Sequence, residues 1–222
     1  MSAIWLAALL SLSALVRHPL QAGELRQTIS MAELRHKPVK KARKAVAEAW
    51  KFNHAGDHEG AVYALRRAVE IDPNYIIARG NLGGELILAG HYEEAIVELR
   101  EAALRAPGAA WIQANLALAF LKSGQVAEAV SWSERAEAIE ASNAKIQHVF
   151  GCALLRQPGR LADAIRHLLL AVRGDPAAHR TLAHAYREKG LNELAREQME
   201  QYAARDPHAN QVEVRNFIAA LL

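Results

Sequence analysis

The sequence predicts an all-α solenoid of five stacked helix-turn-helix hairpins closed by a C-terminal helix. Three observations predict it: a nineteen-residue segment that occurs five times, a glycine at the same place in every copy, and alanines at helical spacing behind that glycine. Aromatic residues make up only 6% of the chain and alanine is plentiful, a balance that suits closely packed helices better than sheets.

The segment first appears as "AGDHEGAVYALRRAVEIDP" at 55–73. It returns as "AGHYEEAIVELREAALRAP" at 89–107, "SGQVAEAVSWSERAEAIEA" at 123–141, "PGRLADAIRHLLLAVRGDP" at 158–176 and "KGLNELAREQMEQYAARDP" at 189–207. Its second-position glycines, Gly56, Gly90, Gly124, Gly159 and Gly190, stand at intervals of 34, 34, 35 and 31 residues. Each follows a helical run and supplies the left-handed residue that ends it, so each marks the turn inside a hairpin. Behind the turn come Ala61, Ala95, Ala129, Ala164 and Ala195, and one helical face further on Ala68, Ala102, Ala136 and Ala171, with Tyr202 in the last copy. Small residues on that stripe let the second helix lie close against the first. Pro73, Pro107, Pro176 and Pro207 then stop the second helix, Ala141 standing in that place in the third copy. A hairpin of this kind cannot bury its own stripe, so neighbours must stack.

The five hairpins are expected at about 42–75, 76–109, 110–143, 144–176 and 177–207. The 35-residue interval places an extra residue near Gln157, Pro158 and Gly159, and the 31-residue interval shortens the connection after Pro176. Beyond Pro207, residues 208–222 place Val214, Phe217, Ile218 and Leu221 on one stripe and read as a capping helix; its apolar end leaves room for a homodimer. At the other end the thirteen-residue apolar run from Ile4 to Val16 is too short to span a membrane and reads as the core of a signal peptide over 1–22, with an uncleaved anchor as the other reading. The expected location is periplasmic or secreted. A lead-in segment, 23–41, holds Ser30 and Glu33 at capping-box spacing, and Lys37, Lys40, Lys41 and Lys44 form a basic face. Membrane contact is expected only through the apolar segment or that face. A formal net charge of +3 gives no reason to expect nucleic acid, and the single Cys152 excludes a disulfide framework.

This pattern resembles the tetratricopeptide repeat (TPR) family over residues 42–207. The leucine-glycine pair of the family's first helix appears as Leu82-Gly83, with Ala49, Ala117, Gly151 and Ala183 as small counterparts, and its tyrosine place is held by Phe52, Leu86, Phe120, Leu154 and Tyr186. The family tryptophan is replaced by Ala45 and Arg79 in the first two units. The resemblance implies a right-handed superhelix whose first helices line a concave groove that holds a peptide segment or partner protein, without catalysis and without a cofactor. The rival reading is a structural scaffold or assembly factor for an envelope complex, working through its outer surface and ends.

Counting back from each turn glycine places Trp50, Asn81, Trp111, Asn115, Lys145, His148, Arg180, His184 and Arg187 on the inward face. Asn81 and Asn115 can bond a peptide backbone as donor and acceptor whatever its side chains. Trp50 and Trp111 either contact ligand or fill space between neighbouring helices. Lys145, Arg156, Arg180 and Arg187 make the C-terminal end positive, which suits an acidic partner. The clamp by which some family members grip a terminal carboxylate is not kept, since Gly80 and Gly84 stand for its first pair and Val149 for its arginine. His148 and Cys152 share a helix face, with His184 placed across the groove; among ten scattered histidines this reads as chance proximity rather than a metal site. Asp57, His58 and Glu59 read as a solvated turn and helix start. No serine nucleophile elbow, phosphate loop or zincin motif occurs, and the residues outside the repeats leave no room for a catalytic domain. If Ala95 lies in the helix contact, Ala95→Leu overpacks it at a cost of ~1–3 kcal/mol, measurable as a lowered melting temperature; an unchanged melting temperature places Ala95 elsewhere.

Overall fold

The computed structural model describes residues 36–221. The signal-peptide segment and the Ser30–Glu33 capping box lie outside the described residues. Those described are all-helical, and none of their helices is long and apolar enough to cross a membrane. They divide into two compact units at the 139/140 boundary.

The first unit holds three hairpins: α1 (Lys40–His54) with α2 (His58–Ile71), α3 (Ile76–Ala89) with α4 (Tyr92–Arg105), and α5 (Ala110–Lys122) with α6 (Val126–Ile139). The strongest contacts are within hairpins, followed by α2 on α3, α4 on α5 and α3 on α5, the pattern of a stack. The second unit holds α7 (Ala144–Leu155) with α8 (Leu161–Ala171), α9 (Ala177–Glu188) with α10 (Asn192–Arg205), and the closing helix α11 (Gln211–Ala219).

The repeated small residues do what their spacing predicts. Ala61, Ala95, Ala129, Ala164 and Ala195 are wholly buried, as are Ala68, Ala102, Ala136 and Ala171. The close approach is tightest at the glycine of the leucine-glycine pair. A Cβ on Gly83 would fall on Leu99 of α4, and one on Gly151 would come within 2.9 Å of Leu168 Cδ2 on α8.

The five turn glycines are the only described residues with positive φ, from +75° at Gly56 to +88° at Gly90. In four turns the residue after the glycine donates its N–H back across the helix end: Asp57 to Phe52, His91 to Leu86, Gln125 to Phe120 and Leu191 to Tyr186, at 2.8–2.9 Å. This six-to-one bond satisfies a terminal carbonyl. Its acceptors are the residues in the family's tyrosine place. The fourth turn, residues 156–160, is longer, as the 35-residue interval predicts, and Arg160 N–H reaches only Gln157 O at 3.3 Å. The 31-residue interval also has its counterpart: α9 begins directly after Pro176, whereas two residues separate Pro73 from α3 and Pro107 from α5.

At the place of the absent tryptophan the chain uses polar clamps. Arg79 donates to Glu98 within the second hairpin, and His179 Nδ1 lies 2.7 Å from Gln198 Oε1 within the fifth. Gln147 accepts from His167 Nδ1 at 2.7 Å and donates to Ala141 O at 2.8 Å. Gln113 donates to Pro107 O at 2.7 Å in the same manner.

Space is open around the turn glycines, so substitution there tests the backbone alone. Gly90→Ala should lower the unfolding free energy by ~1–2 kcal/mol, the cost of a left-handed alanine. Gly108→Ala, at a site with open space and no positive φ, should be neutral or stabilising. Urea denaturation of both variants checks the pair.

Candidate functional site

In the first unit, α3 and α5 carry the clearest candidate surface. Asn81 and Asn115 stand 34 residues apart, at the same place in successive repeats, and both are half-buried. Among the described residues neither carboxamide has a hydrogen-bond partner within the fold. Gly84 lies next to Asn115: a Cβ there would make ordinary contact at 3.7 Å from Asn115 Nδ2. Gly80 makes room for Trp111, whose six-membered ring occupies the place a side chain would take, with Cζ3 2.9 Å from a built Cβ. Trp111 therefore fills space between helices, while its remaining half-exposed surface lies beside Asn115 on α5. Trp50, also half-buried, stacks on His54 at 6.1 Å between ring centroids.

The turn residues Asp57, His58 and Glu59 are more engaged than a solvated turn requires. Asp57 caps α2 by accepting from Gly60 N–H at 2.8 Å. His58 Nδ1 is 3.0 Å from Glu85 Oε2, and Asn53 Nδ2 donates to Glu85 Oε1 at 2.5 Å. Burial pushes the Glu85 carboxyl above its usual range, with His58 and Asn53 pulling the other way. Glu59 faces His91 at 2.8 Å, so two side chains of the first turn tie it to the second hairpin.

The second unit corrects the sequence-based assignment of its inward residues. His148 is wholly buried: Nδ1 lies 2.8 Å from Asp175 Oδ2 and Nε2 lies 2.9 Å from Thr181 Oγ1. Asp175 Oδ1 also accepts from Ala177 N–H, tying the network to the start of α9. A hydroxyl, an imidazole and a carboxylate in line resemble a nucleophilic relay, but Thr181 is 1% exposed and Asp175 8%, and the three form a buried network that ties α7 to the start of α9. Burial would depress the His148 imidazolium. The adjacent Cys152 and the Asp175 carboxylate outweigh it and raise its pKa to about 10.

Arg180 and His184 are also taken up inside the fold. Arg180 is 5% exposed, donates to Glu213 Oε1 at 2.6 Å and lies over the Tyr202 ring. His184 packs edge-on against Phe217 at 4.7 Å, and Arg187 lies over the same ring at 4.6 Å. Counting along a helix puts these side chains on the right face but cannot say that α11 covers it. Val214, Phe217 and Leu221 are buried in the same packing, so the stripe that left room for a second copy is used within this unit. Glu213 also offsets the positive charge read at this end. Lys145 stays half-exposed at the start of α7. Among the described residues no three His, Cys, Asp or Glu side chains converge to hold a metal.

A tetratricopeptide repeat family profile matches residues 52–106 and 86–149, across the first unit and into α7. The chain belongs to the tetratricopeptide repeat family. Solved TPR structures share its fold: TTC0263 of Thermus thermophilus, a thermophilic TPR protein, superposes with a TM-score of 0.70 at 18% identity over 81% of this chain and 98% of its own. MamA 41-end of Desulfovibrio magneticus RS-1 gives 0.62 at 20% identity over 77% and 99%. Cut9 in the APC/C hetero-tetramer Cut9-Hcn1 gives 0.75 at 18% identity over 94% of this chain and 41% of that one. No curated protein matches the chain. In this TPR protein the amides of Asn81 and Asn115 are unpartnered among the described residues, whereas His148 and His184 are taken up in the packing of the second unit.

Because the folded-state pKa of His148 lies above its ordinary 6.5, the pair's contribution is fully present below about pH 6.5 and is lost as pH rises through about 10. His148→Gln should cost roughly 3 kcal/mol at neutral pH, as expected when one partner of a buried pair is removed. Denaturant titrations across that window should show the gap between parent and variant closing toward high pH.

Proposed function

We propose that the chain is an exported, non-catalytic interaction module that holds an extended peptide segment of a partner protein against α3 and α5. TPR architecture generally serves protein–protein interaction, through the extended surfaces that stacked repeats create. The observation that carries the finer reading is the pair of Asn81 and Asn115, one per repeat in register, whose carboxamides lack partners among the described residues. A carboxamide offers both a donor and an acceptor, so two in register can bond a peptide backbone without regard to its sequence. Trp111, one helical turn before Asn115 on α5, supplies apolar contact, and Trp50 on α1 offers another half-buried ring. With Arg180 engaged by Glu213, the reading no longer calls for an acidic partner. Export rests on the apolar run Ile4–Val16.

A second reading, a scaffold acting through its outer surface, is favoured by Tyr63 and Val97. Both stand seven residues after a turn glycine, on α2 and α4, and are 63% and 66% exposed. Affinity capture from an extract of the source organism separates the two. Asn81→Ala/Asn115→Ala should release a groove-bound partner at a loss of ~1–3 kcal/mol in affinity while leaving the melting temperature near the parent's. Capture that survives this variant but is lost on Tyr63→Ser/Val97→Ser assigns the partner to the outer face.

A further inference from the structure

The first described helix carries a charge pattern that the peptide-binding reading does not use. Lys40, Lys44 and Lys51 project within about 40° of one another on an ideal helix, directly opposite the buried Ala42, Ala45, Val46 and Ala49. Lys41 and Lys37 flank this row, and all five lysines are exposed. Among the described residues none of them has a carboxylate partner. The one acid on α1, Glu48, is held by Arg67 at 3.2 Å. The first turn of α1 has no acidic residue. The opposite side of α1 packs on α2, so the row faces outward at the edge of the first unit.

We propose that this lysine face docks the chain on a bilayer of anionic phospholipid. A row of ammonium groups about 16 Å long on a helix lying at the surface presents its charges in one line to a flat partner. Lysine is a hydrated point charge that suits a diffuse field of headgroups, whereas bidentate reading of a single phosphate or a base edge favours arginine. The stripe itself carries no aromatic ring on which an unpaired base would stack. In its reading as an uncleaved anchor, the apolar run Ile4–Val16 brings this end of the chain to a membrane as well.

The test is co-sedimentation of the full chain with vesicles of phosphatidylcholine alone and of phosphatidylcholine mixed with phosphatidylglycerol, at low and high salt. Binding should be stronger on the anionic vesicles, weaken with salt, and fall about fivefold per lysine removed, so that Lys40→Gln/Lys44→Gln/Lys51→Gln loses about a hundredfold. A triple variant of equal charge change elsewhere, Arg173→Gln/Lys189→Gln/Arg215→Gln, should retain most of the binding. All six side chains are exposed, so both variants should melt with the parent. Equal binding to both vesicles, equal loss in the two triple variants, or lysine-dependent binding to duplex DNA without vesicle binding overturns the proposal.

Discussion

The two helices of a hairpin approach closely through alanine or glycine at their crossing, and the rest of the structure depends on that approach. The buried alanines of α2, α4, α6, α8 and α10 set it, and Gly83 against Leu99 and Gly151 against Leu168 show how little space remains. Close approach makes each hairpin a thin, two-faced slab whose apolar faces must be covered by neighbours. Stacking follows from this, and with it the presentation of successive first helices at one register. Asn81 and Asn115 owe their alignment to this repetition and not to any local motif.

Most of the fold was legible because its determinants are local and repeated. A glycine ending a helix acts through its own φ, and an alanine at a helix crossing acts by being small; neither needs knowledge of a distant residue. The long fourth turn and the abrupt start of α9 were readable for the same reason, as departures from a fixed interval. What sequence spacing did not reveal were the long-range polar pairings. Arg79 with Glu98 and His179 with Gln198 occupy the place of the missing tryptophan, and nothing in either helix alone marks them as partners.

The candidate site divides along the same line. Helical counting put Asn81 and Asn115 on the inward face, and among the described residues neither amide has a hydrogen-bond partner. It put His148, Arg180 and His184 on an equivalent face with equal justification, yet Asp175, Glu213 and Phe217 claim them. A side chain is available to a ligand only after the rest of the chain has declined it, and that is a property of the whole packing. Small neighbours were the readable hint: Gly80 and Gly84 stand on α3 where His148 and Cys152 stand on α7.

The buried network of His148, Asp175 and Thr181 also bears on how this array can change over evolutionary time. Repeats joined only by alanine contacts are interchangeable, and one can be duplicated, deleted or shuffled with little penalty. A repeat that keeps a buried imidazolium must carry its carboxylate with it, because separating the two leaves an isolated charge in the interior. His148 and Asp175 both belong to the fourth hairpin and Thr181 to the fifth, so the charged pair travels within one repeat and only its hydroxyl contact depends on the neighbour.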